Sequence, residues 1–276
     1  MPHPAFSPDN VAVITGAALG IGRAMAKRFA EDGMKVAMLD VNEKYLAEAA
    51  AEIGDATLPI ICDVSDVASL QAARSKIMER WGKAPSVLVN NAVTRMAQGF
   101  DAPLEDWKRS LDINVMGVVN GVHVFLDDMK FAGTPALIVN VGSKQGITNP
   151  PGHPVYNMAK AAVRTYSEAL EHELRQDPAR NVTVHLLVPG WTTTGFDEHR
   201  QGAWHPHQVV DYMLAAIDKG SFYIICPDDE VSEDLDRERF LWTAMDITED
   251  RMPLSRWHEE GKKLFEAYEK TKNLGR

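Results

Sequence analysis

The chain has only two cysteines, Cys62 and Cys226, and each closes an apolar run. Placed at strand ends, they read as buried free thiols rather than a disulfide framework. No Cys/His spacing of a metal site accompanies them. No stretch reaches the ~18 apolar residues that a membrane-spanning helix needs. The opening Met1-Pro2-His3-Pro4-Ala5-Phe6 lacks the charged-then-apolar order of a secretion signal. Positive charge is in deficit, with 29 Lys and Arg against 39 Asp and Glu, a net charge of -10. Nucleic-acid binding needs a basic surface, so the balance excludes that partner and is read as a solubility feature. These absences point to a cytoplasmic protein that acts on a small molecule, with neither membrane nor nucleic acid as partner.

What is present is a regular alternation. Apolar runs at Val11–Thr15, Lys35–Asp40, Thr57–Cys62, Ser86–Asn90, Ala136–Val141, Val182–Val188 and Phe222–Cys226 have strand character. Between them lie amphipathic stretches at Glu43–Ile53, Asp66–Trp81, Leu104–Met129, Val155–Arg175 and Pro206–Lys219. Strand-helix alternation implies a parallel sheet covered by helices on both faces, and continuous apolar strands fit burial on both sides. Right-handed crossovers then leave a doubly wound α/β Rossmann domain with a parallel seven-stranded sheet. With 276 residues, 45% of them hydrophobic, one large core is affordable, and no linker or internal repeat divides it. The expected organisation is a loose tail at 1–9, the Rossmann domain at 10–226, and a helical extension at 227–276. That extension carries Trp242, Trp257 and Phe265 and packs on the same domain or on a neighbouring subunit.

In such sheets the ligand crevice lies beyond the carboxyl ends of the strands. Gly16, Asp40, Asp63, Asn90, Ser143 and Pro189 all fall at or just past those ends. The segment Thr15-Gly16-Ala17-Ala18-Leu19-Gly20-Ile21-Gly22 sits between a strand and a helical pattern, the context a dinucleotide fingerprint requires. Its glycines permit a tight turn and close approach of a pyrophosphate, and the following helix offers unpaired N–H groups to the anion. Asp40 ends the second strand, where a carboxylate accepts hydrogen bonds from ribose hydroxyls and repels a 2′-phosphate. Neither Leu19 nor Val41 can pair with that phosphate, although Arg23 on the helix has the reach, so NAD is the expected cofactor. Further along, Tyr156 and Lys160 stand at i and i+4, one turn apart on one helix face. An ammonium beside a phenol favours phenolate and lowers a pKa that is ordinarily about 10. Ser143 offers a hydroxyl to a substrate oxygen.

These motifs, in this order, resemble the short-chain dehydrogenase/reductase family from about Asn10 to Cys226. The family's T-G-x-x-x-G-x-G turn matches Thr15 to Gly22, and its N-N-A-G segment appears as Asn90-Asn91-Ala92-Val93. Its catalytic Asn, Ser, Tyr and Lys match Asn114, Ser143, Tyr156 and Lys160, and its P-G segment matches Pro189-Gly190. The resemblance implies hydride transfer between a secondary alcohol, or the corresponding ketone, and NAD, with Tyr156 as base. Lys160 would hold the nicotinamide ribose and stabilise the phenolate, Ser143 would fix the substrate oxygen, and Asn114 would bind a water that links Lys160 to solvent. It further implies that Asp63 meets the adenine amino group and Val64 packs on the ring. Gly16, Leu19, Gly20, Ile21, Gly22, Asp40, Asn90, Ala92, Pro189, Gly190, Thr192 and Thr194 complete the cofactor contacts. Val93 stands where the family has glycine, so either the backbone shifts there or that glycine needs no special conformation.

The pocket is less legible. Gln145, His153 and Trp191 are expected to line it with Ser143 and Tyr156. Trp191, Phe196 and Trp204 suggest an apolar or aromatic substrate, while Arg95 and Lys144 either meet an anionic group or stay solvated. The helices at Leu104–Met129 and Val155–Arg175, with Ala161, Ala162 and Ala169, resemble those that pair across the family's dimer interface, giving a homodimer or homotetramer. Three other readings use the same scaffold: an NADPH-linked carbonyl reductase, a non-redox epimerase or dehydratase, and a dinucleotide-sensing regulator.

Overall fold

A computed structural model describes residues 2–195 and 198–272. Seven strands form one parallel sheet: β1 (Val11–Thr15), β2 (Lys35–Asp40), β3 (Thr57–Ile61), β4 (Val87–Asn90), β5 (Ala136–Val141), β6 (Val182–Val188) and β7 (Tyr223–Ile225). Their order across the sheet is β3-β2-β1-β4-β5-β6-β7. The chain reverses its direction of travel between β1 and β4, so the crevice opens beyond the carboxyl ends of those two strands.

The period of two along each strand splits the core. Ala12 and Ile14 of β1 face one cluster, built with α1 (Gly20–Glu31), α2 (Glu43–Ile53) and α8 (Pro206–Asp218). Val11 and Val13 face the other, built with α3 (Val67–Trp81) and α5 (Gly117–Phe131). Phe29 on the first side and Phe125 on the second are fully buried, each contributing roughly 1.5–3 kcal/mol relative to exposure. Helix starts follow side-chain chemistry. Asn42 accepts the Tyr45 amide at α2, and Asp66 accepts the Ala68 amide at α3.

Two sequence expectations are corrected. Residues 2–9 are not a loose tail. Pro4–Phe6 form a short 3-10 turn whose Ala5 is wholly buried, with its carbonyl accepting the Ser86 hydroxyl at 2.7 Å. Phe6 packs on Phe29 with ring centroids 5.2 Å apart, so apolar burial anchors the segment. The second correction concerns Leu104–Met129, which stays helical but is interrupted by a π turn. It divides into α4 (Leu104–Leu111), a π turn at Asp112–Met116, and α5. The Gly117 amide reaches back to the Asp112 carbonyl, five residues away, and Gly117 lies against Val64, where a Cβ would meet Val64 Cγ2 at 2.6 Å. The extra residue in this turn holds Asn114, now buried, next to the crevice.

The chain beyond β7 forms α9 (Glu233–Thr248), a 3-10 turn at Ser255–Trp257 and α10 (Glu259–Thr271). Trp242 and Phe265 are buried against each other edge to face, with centroids 5.2 Å apart. The Trp242 indole donates to Ser255, whose hydroxyl donates to Asp246. Cys62 and Cys226 are buried free thiols, and burial pushes Cys226 up to about 12.

Candidate active site

Ser143 follows β5, and Tyr156 and Lys160 lie on α7 (Pro154–Arg175). A short helix, α6 (Gln145–Thr148), brings them together. Gly146 makes that approach possible, because a Cβ there would lie 2.5 Å from the Lys160 carbonyl carbon. Asn149 adopts left-handed backbone, and the Asn157 amide donates to Asn149 Oδ1 at 2.9 Å and to the Pro150 carbonyl at 2.6 Å. The Ser143 turn is thereby clamped onto α7.

Lys160 is 3% exposed, and its Nζ donates to the Val141 carbonyl at 2.7 Å. That Nζ stands 5.7 Å from the centre of the Tyr156 ring. A second cation, the Arg95 guanidinium, covers the same ring at 4.8 Å. Burial alone would raise the Tyr156 pKa, but the charges of Lys160 and Arg95 and hydrogen bonds from Ser143 and Arg95 outweigh it. The phenol is held below its ordinary value. Lys160 is shifted down as well, by burial first, with Tyr156 opposing.

The Asn114 side chain is engaged by the main chain of Thr94. Its Oδ1 accepts the Thr94 amide at 2.8 Å and its Nδ2 donates to the Thr94 carbonyl at 2.9 Å. Both ends of the amide grip the loop after β4. Ser110 adds a hydrogen bond to the amide of buried Ala97 at 3.4 Å.

The glycine-rich turn forms a cradle. Gly16 and Gly20 have φ of 64° and 56°, a region that glycine occupies without penalty. The α1 N-terminus has no side-chain cap, since Leu19 supplies none, which leaves first-turn N–H groups available to an anion. Ile21 and Gly22 stand in that first turn, both buried. Asp40 accepts the Ala18 amide at 3.0 Å and the Asn42 amide at 2.9 Å, which fixes its carboxylate beside the turn. Thr194 lies over Gly20, where a Cβ would meet Thr194 Cβ at 3.3 Å. The Pro189-Gly190 segment is held from below, with Asp228 accepting the Trp191 amide at 3.0 Å. Thr192 turns its hydroxyl to the Gly190 carbonyl. A dinucleotide's anionic bridge and its ribose fit this combination of exposed amides, close backbone and fixed carboxylate.

Asn91, which sequence reasoning passed over, secures that turn. Its Nδ2 donates to the carbonyls of Thr15 and Gly16, both at 3.0 Å. The Thr15 hydroxyl accepts the amides of Asn91 and Ala92. Asn90, expected at the cofactor, instead turns into the protein, donating to Asn140 Oδ1 at 2.8 Å. The second Asn of the motif was the available signal. The two differ because adjacent residues point to opposite sides.

The other expected residues have definite surroundings. Val64 is buried and packs on Gly117. Asp63 is already paired, accepting from Ser65 at 2.7 Å and from Arg109 at 2.6 Å. Burial opposes ionisation there, but these partners hold its carboxyl below the ordinary range. Val93 needs no left-handed backbone, since the positive-φ residues do not include it. His153 is exposed at the start of α7 and lines neither cavity beside Gln145. Gln145 itself borders a cavity of about 680 Å³ between the 145–154 loop and the C-terminal helices, with its Oε1 buried and unpartnered. Trp191 is 42% exposed. Trp204 packs on Tyr212 and donates to Asp229 at 3.1 Å; Phe196 lies outside the described residues. Lys144 is not solvated, because it pairs with Asp236 at 2.5 Å and Asp228 at 3.4 Å, both carboxylates nearly buried. Arg23 is tied to Glu52. Among the described residues no cluster of His, Cys, Asp and Glu has the makings of a metal site, and no helix is long and apolar enough to cross a membrane.

Residues 10–203 match the family described as short chain dehydrogenase. "Probable oxidoreductase EphD" of Mycobacterium bovis is 34% identical over 221 residues, which cover 76% of this chain and 36% of that protein. The chain therefore spans about a third of that relative, 36% of its length. The NADP-dependent (R)-specific alcohol dehydrogenase of Lentilactobacillus kefiri is 34% identical, with 70% of this chain and 77% of the relative covered. A crystal structure of a short chain dehydrogenase/reductase from Burkholderia phymatum in complex with NAD aligns with a TM-score of 0.81 at 30% identity, covering 89% of this chain and 96% of the other.

Proposed function

The chain belongs to the short-chain dehydrogenase/reductase family, and on that premise we propose that it is an NAD-dependent oxidoreductase acting on a secondary alcohol or its ketone, with Tyr156 as general base. The observation that carries the reading is the Tyr156 ring flanked by two cations, the Arg95 guanidinium at 4.8 Å and the Lys160 ammonium at 5.7 Å from its centre, which help hold the phenol acidic against burial. A base must be deprotonated near working pH, and this environment favours that form.

In the oxidation direction Tyr156 Oη takes the proton of the substrate hydroxyl. Ser143 Oγ, positioned by its bond from the Gln145 amide at 3.2 Å, donates to the substrate oxygen and stabilises charge developing on it. Lys160 keeps the phenolate charge compensated from its seat on Val141. Its remaining N–H groups are free to hold ribose hydroxyls. Because Thr94 engages the Asn114 amide, any water that Asn114 presents toward Lys160 is held by its main chain. The bound nicotinamide supplies the hydride chemistry. Gly16, Leu19, Gly20, Ile21 and Gly22 would hold its diphosphate, and Ala92, Pro189, Gly190, Thr192 and Thr194 its nicotinamide side.

NAD rather than NADP rests on Asp40. Its fixed carboxylate repels a 2′-phosphate, and Arg23, the nearby cation with the reach to offset this, is occupied by Glu52. Assembly as a homodimer or homotetramer through α5 and α7 belongs to the same proposal, as does action in the cytoplasm. The experiment is a screen of secondary alcohols and ketones, following NADH and NADPH absorbance. Turnover with NAD(H), and affinity for NADH at least about tenfold above NADPH, is expected. Binding of NADPH as tight as NADH overturns the cofactor assignment, and no turnover of any alcohol or ketone overturns the reaction.

A further inference from the structure

Arg95 is exposed, and its guanidinium lies over the ring of the candidate base. It lies 4.8 Å from the centre of the Tyr156 ring, on the candidate base itself. The residues on either side are fixed. Thr94 is gripped by the Asn114 amide, and the Ala97 amide is bonded to Ser110. Two side chains from the α4 and π-turn region thus fix the main chain that carries this arginine. No carboxylate among the described residues pairs with it, although nearly all other cations near the site have one. Lys144 has Asp228 and Asp236, Arg109 has Asp63, and Arg23 has Glu52. An arginine over the candidate base, with no carboxylate partner among the described residues, presents five donors in a planar fork that fits a carboxylate or similar oxyanion bidentately.

We propose that Arg95 is a specificity-determining residue that binds an anionic substituent of the substrate, so that the preferred substrate is a hydroxy acid or the matching oxo acid. Reach limits the class. The guanidinium stands beside the same hydroxyl that takes the substrate proton, so the anionic group lies within two or three bonds of the reacting carbon. A 2-oxo or 3-oxo carboxylate meets that limit, and one with a distant carboxylate does not. The inference rests on the oxidoreductase reading for its consequence in turnover, but the binding of the anion is separable from it.

The test compares the wild-type protein, Arg95→Lys and Arg95→Leu on two readouts. The first is NADH-linked reduction of a panel of 2-oxo and 3-oxo carboxylates, each beside its methyl ester. The wild type is expected to favour the acid over the ester by tenfold or more in kcat/KM. Arg95→Leu should lose about a hundredfold on the acid and far less on the ester, with Arg95→Lys between them. The second readout is calorimetric binding of the unreactive saturated carboxylates to the protein loaded with NADH, which needs no turnover. It should be clear for the wild type and lost in Arg95→Leu. Equal losses on acid and ester would mean that Arg95 serves Tyr156 alone, and would overturn the proposal. So would a wild-type preference for esters, or carboxylate binding that survives Arg95→Leu. Arg95-dependent carboxylate binding without turnover of any panel member would support the anion site while counting against the proposed reaction.

Discussion

Asn114 holds the main chain of Thr94 by both its amide and its carbonyl, at 2.8 and 2.9 Å, from inside a π turn. The residue family resemblance marks as catalytic is thus also the clasp of the loop that carries Arg95. Asn114→Ala leaves two partly buried Thr94 backbone groups without these partners, each costing less than the ~1–3 kcal/mol of a fully buried group. We expect a lower unfolding midpoint in urea and kcat/KM for substrate reduced about a hundredfold, with NADH affinity within a few-fold of wild type. Unchanged kinetics would show that the loop holds without its clasp.

Tyr156→Phe removes the proton acceptor and little else, since the ring remains between Arg95 and Lys160. Turnover should fall by at least about a thousandfold while fluorescence titration with NADH is nearly unaltered. Near-normal turnover would overturn the base assignment.

The pH profile carries a sign. Tyr156 acts deprotonated, and its pKa is held below the ordinary phenol value of 10.0 because cations and hydrogen bonds outweigh burial. Alcohol oxidation should be full above that pKa and decline as pH falls through it. Lys160→Met deletes one of the cations, so the Tyr156 pKa rises and the declining limb moves to higher pH. A limb that keeps its position in Lys160→Met would show that another group is titrating.

Gly22 tests the cradle without invoking unusual backbone. In a free helix Gly→Ala stabilises by about 1 kcal/mol. Here the new methyl would lie 2.6 Å from Asn91 Nδ2, the donor that holds the Thr15 and Gly16 carbonyls. Steric cost outweighs helix propensity, so Gly22→Ala should weaken NADH binding at least tenfold by calorimetry and lower thermal stability.

Lys144 balances two carboxylates that are 5% and 2% exposed. Removing one member of a buried ionic group costs about 3–5 kcal/mol, because the others stay buried without compensation. Lys144→Met should lose stability of that order in chemical denaturation, and the double variant Lys144→Met, Asp236→Asn should recover part of it. Strict additivity of the two changes would show that they are not coupled.

The strands, their parallel arrangement and the helices around them were legible because apolar periodicity is a local property, as were the glycine turn and the i, i+4 spacing of Tyr156 and Lys160. The break in Leu104–Met129 was not, because a π turn leaves an amphipathic pattern nearly intact. What selects it is the seating of Gly117 on Val64 and of Asn114 on Thr94, contacts between distant parts of the chain. Burial of Ala5 likewise depends on Ser86 and Phe29, which the first nine residues do not announce.

By itself, then, the chain's pattern of residues determined the sheet, the glycine turn ahead of α1 and the spacing of Tyr156 and Lys160 on one helix. Only tertiary packing decided which of two neighbouring asparagines clamps the glycine turn, that Lys144 pairs with Asp228 and Asp236, and that Arg95 covers Tyr156 with no carboxylate partner among the described residues. Periodicity and backbone propensity act over a few residues and can be read in order. The pairing of charges, the seating of a side chain on a remote backbone and the loss of solvent around an ionisable group depend on which distant segments the fold brings together.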